Sequence, residues 1–135
     1  MKVVDANVLA YYFIDCQYTP LARRLFELDS EWMVPVLWRH EFLSILLKIA
    51  RQGTQSESEL LTIWEYANVL VQGNEREIDW RLAFQLAIQY RVSSYDAQYL
   101  ALAQTLGVPL ITEDRKLRQA APELARSMQE WVDQS

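Results

Sequence analysis

The sequence predicts an α/β fold: a short parallel sheet covered by helices on both faces. Three observations carry it. Short apolar runs containing Val, Ile and Leu alternate with longer amphipathic stretches, the pattern of strands buried on both sides. Several of the longer stretches open at capping residues or close at glycines, which marks them as helices. No repeat, low-complexity tract or long linker divides the 135 residues. One domain spanning 1–135 is expected, and at that length it buries roughly two-thirds of its extended surface.

Met1–Val4 reads as a buried strand that ends at Asp5, and Asn7–Ile14 as a helix. Thr19-Pro20 predicts an N-cap followed by proline at the first helical position, opening a helix to about Leu28. Glu31–Val34 is strand-like and stops at Pro35, and Val36–Arg51 is helical up to Gly53. Ser56 and Glu59 have capping-box spacing and start a helix to about Val71. After a turn at Gly73-Asn74, Glu75–Ile78 predicts a short strand. Asp79 then caps a helix to Tyr90, and Ser94 caps another over Tyr95–Leu106 that closes at Gly107. Val108–Thr112 is a compact strand, Asp114–Ala120 a short helix and Leu124–Ser127 a last strand. Ser127 and Glu130 repeat the capping-box spacing before a helix holding Trp131.

Composition bounds the partners. Half the residues are apolar (51%) and 23% are charged, which excludes a collagen-like or disordered chain. No apolar run approaches the ~18 residues of a membrane span, and Asp5 and Asp15 interrupt the apolar start, against a signal peptide. The single cysteine, Cys16, forms no internal disulfide. A reducing, cytoplasmic setting is therefore expected. The net charge of −5 argues against casual nucleic-acid binding. If four acids are gathered at a metal site, the rest of the chain is near neutral, and a phosphate-bearing substrate remains open.

In open parallel sheets ligands bind beyond the carboxyl ends of the strands, so the acids that follow strands matter most. Asp5 follows the first strand and Asp114 lies two residues past Thr112. Asp96 falls in the first turn of a helix and Glu41 in the second turn of another. Each has a plainer reading. Asp5 suits a strand-ending turn, Asp114 a helix cap, and Glu41 the edge of a solvated stripe with His40, Ser44, Lys48 and Arg51. Asp96 is harder to dismiss, because on a helical wheel it lies within the apolar arc of Tyr99, Leu102 and Leu106. A carboxylate facing a core requires a partner, either an arginine or an ion. Together the four acids repel one another unless hard cations such as Mg²⁺ or Mn²⁺ neutralise them. With one cysteine and one histidine there is no zinc pattern.

Val4-Asp5-Ala6-Asn7-Val8-Leu9, Val34-Pro35-Val36-Leu37-Trp38-Arg39-His40-Glu41, Tyr95-Asp96-Ala97-Gln98-Tyr99-Leu100 and Leu110-Ile111-Thr112-Glu113-Asp114 together resemble the PIN-domain nucleases. In length and organisation the chain is most similar to the VapC-type toxins of toxin–antitoxin pairs. The resemblance implies a three-layer α/β/α sandwich and a metal-dependent endoribonuclease whose site is Asp5, Glu41, Asp96 and Asp114. Asn7 matches a small polar position near the first acid, and Thr112 the hydroxyl position before the last. Ser44 stands where many relatives carry Asn, and Glu113 adds an acid that either substitutes for Asp114 or lies outside the site. On this view Asp5 and Asp96 hold Mg²⁺ or Mn²⁺, Asp114 adds a third contact directly or through water, and Glu41 completes the metal site and orients or deprotonates the attacking water. The resemblance also implies a product with a 5′-phosphate, a homodimer and inhibition by an antitoxin segment.

Arg39, Arg115, Lys116 and Arg118 are the basic residues near these acids. They read either as a solvated face or, at Arg115 and Lys116, as a grip on RNA phosphate. The aromatics Tyr11, Tyr12, Phe13, Trp32, Trp64, Tyr66 and Trp80 suit core packing or a partner face. Two rivals remain. A haloacid-dehalogenase-like phosphatase also uses acids at strand ends, but it wants an aspartate where Asn7 stands. A non-catalytic interaction module would carry the same acids without activity.

Overall fold

The apolar run Lys2–Val4 forms the central strand, β1, of the computed structural model, which describes all 135 residues. The other strands are β2 (Trp32–Pro35), β3 (Glu75–Arg76), β4 (Leu110–Ile111) and β5 (Ala125–Arg126). Every pairing is parallel and the order is β3-β2-β1-β4-β5. The helices are α1 (Ala6–Phe13), α2 (Thr19–Leu28), α3 (Trp38–Gln52), α4 (Glu57–Leu70), α5 (Trp80–Tyr90), α6 (Ser94–Leu106), α7 (Arg115–Ala120) and α8 (Met128–Asp133). None is long and apolar enough to cross a membrane.

Strand alternation builds the three expected layers. Val4, Trp32, Val34 and Ile111 face a core formed with α1, α2, α3, α4 and α8. Val3, Met33 and Leu110 face the opposite way, into a second core with α5, α6 and α7. Successive strand side chains point to opposite faces, so a three-residue strand contributes to both. The early aromatics belong to the first core: Tyr12, Phe26 and Trp32 meet at ring separations of 5.2–5.9 Å. Trp38 stacks on Trp64 at 5.6 Å. Tyr66 and Trp80, by contrast, stand exposed.

Both predicted capping boxes are present, at Ser56/Glu59 and Ser127/Glu130. Gly53 and Gly107 close α3 and α6 with φ of 72° and 68°, the left-handed conformation that glycine adopts without a Cβ clash. Two expected caps are corrected. Thr19 is the first residue of α2 rather than its cap. Its hydroxyl accepts from the Cys16 amide (3.0 Å) and donates to the Tyr11 carbonyl (2.6 Å), tying the preceding loop instead. Ser93, not Ser94, caps α6, with Oγ 3.0 Å from the Asp96 amide. Helix α3 begins at Trp38 because residues 36–37 form a turn, which moves Glu41 from the second turn into the first. β3 is shorter than the predicted run and ends at Arg76.

The amino end of β1 holds an arrangement that the sequence did not announce. Lys2 is fully buried, with Nζ 2.9 Å from the Asp29 carbonyl, 3.1 Å from its carboxylate and 3.9 Å from the centre of the Trp131 ring. The N-terminal amine also bonds Asp29. Burial works against the Asp29 charge, but the N-terminal amine, the Glu31 amide and Lys2 overcome it and hold the carboxyl at about 2.

Candidate active site

The sheet order reverses at β1: the chain proceeds outward through β2 and β3, then returns to place β4 on the other side. β1 therefore leads into α1 on one face, while its neighbour β4 leads into α7 on the other. Such a reversal opens a crevice at the carboxyl ends of the two strands. A cleft of about 470 Å³ lies there, and all four predicted acids line it, as do Asn7 and Thr112.

Each acid arrives at the start of a helix. Asp5 caps α1, with Oδ1 2.9 Å from the Val8 amide, and Asp114 caps α7, with Oδ1 3.1 Å from the Leu117 amide. The plainer reading of Asp114 as a cap thus holds alongside its place in the cleft: one oxygen serves the helix and one is spare. Glu41 and Asp96 come from the first turns of α3 and α6. Four helix amino ends, each carrying a partial positive charge, direct themselves at the same hollow. Thr112 is fully buried at the end of β4. Its hydroxyl accepts from the Asp114 amide (3.1 Å) and stands beside the Asp5 carboxylate, whose charged form it favours, between the two capping residues.

The electrostatics are those of uncompensated acids. None of the four forms a salt bridge; the ion pairs of the chain lie elsewhere. Burial pushes the Asp5 carboxyl up to about 6 against the Thr112 hydroxyl and the Val8 amide, with the Glu41 and Asp96 charges adding to the rise. Glu41 is raised by burial and by Asp96, with Tyr99 opposing. Asp96 is raised by burial and by Asp114, with the Ser93 hydroxyl opposing. Of the two partners open to Asp96, the arginine is absent.

No three of these side chains converge at the spacing of a direct chelate. The donor set nonetheless fits one kind of ligand. Carboxylate oxygens in excess of any cation, around a hollow with room for water, suit Mg²⁺ or Mn²⁺, ions that retain part of their hydration shell.

Other predicted residues separate. Glu113 turns away from the cleft and accepts from the Met128 amide at 2.9 Å, at the start of α8. Arg39 pairs with Glu75 at 2.8 Å and bonds Asn68. Arg118 donates to the Thr112 carbonyl. Arg115 and Lys116 are exposed in the first turn of α7 but do not line the acid cleft; Arg115 borders a neighbouring hollow with Arg118. His40 and Ser44, read as surface residues, do reach the cleft. The residue missed as a site member is Tyr99, assigned to the core arc. Its spacing of three from Asp96 was the available signal, because positions three apart share a helix face.

Comparison with known proteins agrees with this geometry. The PIN domain family profile matches residues 2–122. Ribonuclease VapC3 of Pyrobaculum aerophilum is 33% identical over 126 residues, covering 90% of this chain and 95% of that protein. The crystal structure of PAE2754 from Pyrobaculum aerophilum superposes with a TM-score of 0.74 over 98% of this chain and 94% of that one, a likeness of fold at 19% identity. The parallel sheet, the crevice at its reversal and the matched residues lead to one conclusion: the chain belongs to the PIN domain family.

Proposed function

We propose that this chain is a divalent-metal-dependent endoribonuclease, and that it serves as the toxin of a toxin–antitoxin pair. The observation that carries the reading is the convergence of Asp5, Glu41, Asp96 and Asp114 on one cleft without a cationic partner. The ribonuclease named among its relatives supports the choice of RNA. Asp5, Asp96 and Asp114 are the residues to hold Mg²⁺ or Mn²⁺, and Glu41 completes the set. When bound, the ion supplies Lewis acidity and neutralises charge at the scissile phosphate. Glu41 orients the attacking water and takes its proton. Thr112 keeps Asp5 and Asp114 in register, and Asn7 stands at the cleft mouth to meet the substrate. Arg115 and Lys116, exposed beside Asp114, guide the RNA backbone.

Asp96→Asn tests the reading. RNA cleavage with Mg²⁺ or Mn²⁺ should fall on the order of a thousandfold, with the fold intact. Unchanged cleavage overturns it. The toxin role predicts that the product of a neighbouring gene co-purifies with the chain and suppresses cleavage; failure of any such product to bind removes that role and leaves the nuclease. A homodimer belongs to the same reading. Trp80, Phe84 and Ile88 form an exposed apolar stripe on α5 suited to a second copy, and sedimentation of the purified chain decides the matter.

A further inference from the structure

Tyr99 is 2% exposed, yet its hydroxyl is the only buried side-chain polar atom in the cleft wall without a hydrogen-bond partner. Buried polar groups are normally paired, and phenylalanine would fill the same space with no unmet donor. The hydroxyl therefore asks for an acceptor. Of the four acids, Asp5 and Asp114 each anchor an oxygen on a helix amide, and Asp96 has the Ser93 hydroxyl beside it. Neither Asp96 nor Glu41 accepts from an amide or a cation of the chain; the hydroxyl beside the Glu41 carboxylate is that of Tyr99. An unanchored carboxylate and an unpartnered hydroxyl thus stand opposite one another, on α3 and α6.

We infer that Tyr99 is a positioning residue: its hydroxyl donates to the Glu41 carboxylate and fixes it in the cleft facing Asp5 and Asp96. The consequence for metal affinity rests on the proposed divalent-cation site; the hydrogen bond itself does not.

Tyr99→Phe is the variant to make, alone and with Glu41→Ala, which leaves the hydroxyl no side-chain acceptor at that position. Crystals of the metal-free proteins should show the Tyr99 hydroxyl within hydrogen-bond distance of Glu41, and Glu41 losing its single conformation in Tyr99→Phe. By calorimetry, Mn²⁺ affinity should fall about tenfold in Tyr99→Phe, as when groups supporting a metal ligand are removed. In the Glu41→Ala background the same change should have no further effect. The melting temperature should be unchanged or higher. An unmoved Glu41 overturns the inference, as does an equal loss of Mn²⁺ affinity in both backgrounds, the mark of a merely structural tyrosine. A wild-type chain that binds no Mn²⁺ defeats the metal reading, and the metal-free crystals then decide the role of Tyr99.

Discussion

At the amino end of β1, Asp29 sits among the N-terminal amine, Lys2 and the Glu31 amide, and its carboxyl is held at about 2. At the carboxyl end of the same strand, Asp5 sits among Glu41, Asp96, one hydroxyl and the Val8 amide, and its carboxyl rises to about 6. Burial opposes the charge of both carboxylates and encloses Asp5 more deeply, so it is not what holds Asp29 below the ordinary range. The cations that the chain supplies hold it there. One end is closed on itself and needs nothing further, even with a lysine taken fully out of water. The other keeps an excess of negative charge that the folded chain leaves uncancelled. Structural charge is matched from within, whereas a site for a cation is left in deficit.

The strongest way to break the contrast is Asp5→Asn. Asparagine keeps the acceptor for the Val8 amide and caps helices as well as aspartate, so α1 should persist while the charge disappears. Cleavage should drop on the order of a thousandfold, and the melting temperature of the metal-free protein should rise, because a repelled carboxylate has been removed. A falling melting temperature would mean that the acid cluster is not a burden on the fold.

The reciprocal change is Lys2→Met, which preserves the buried stem but removes the ammonium. Loss of one partner from a buried pair costs about 3–5 kcal/mol. Here the N-terminal amine still pairs with Asp29, so a smaller loss of about 2–3 kcal/mol in urea unfolding is expected, with cleavage per folded molecule unchanged.

A smaller effect separates the two ends by pH. The Asp5 carboxyl has a folded value of about 6 against an ordinary 3.8. Between those values the folded chain binds more protons than the unfolded one, so metal-free stability rises as pH falls through that window. The gain is roughly 2 kcal/mol once water in the cleft is allowed for. Asp29 acts oppositely: its contribution is complete above about 4 and is lost as pH falls toward 2. Thermal unfolding from about pH 7 to about pH 3 should therefore pass through a maximum at roughly pH 4–5. Saturating Mg²⁺ should flatten the upper limb by favouring the ionised acids.

The strands and helices were legible because their signals are local. Alternation, capping boxes and closing glycines lie within a few residues of each other, and all five strands overlap the stretches expected to form them. The two misplaced caps have different causes: a loop carbonyl engages the Thr19 hydroxyl, and at Ser94 the neighbouring Ser93 hydroxyl accepts from the Asp96 amide instead. The four acids were legible as strand-end and helix-start residues, and Asp96 as an intruder in an apolar arc. Glu41 was not distinguishable from a surface acid, since its half-buried state depends on α6 lying opposite, 55 residues along the chain at Asp96. The pairing of Lys2 with Asp29 and Trp131 was hidden for the same reason: strand, loop and last helix meet only after the sheet has formed.

The reversal in strand order also governs timing. Asp114 reaches its place only when β4 slots in beside β1, and β4 is flanked in turn by β5, a segment made later still. A polypeptide emerging from the ribosome therefore lacks one wall of the hollow until the residues of both strands have been added. The four acids thus share one hollow only late in synthesis, and cleavage by the nascent chain is expected no earlier than that.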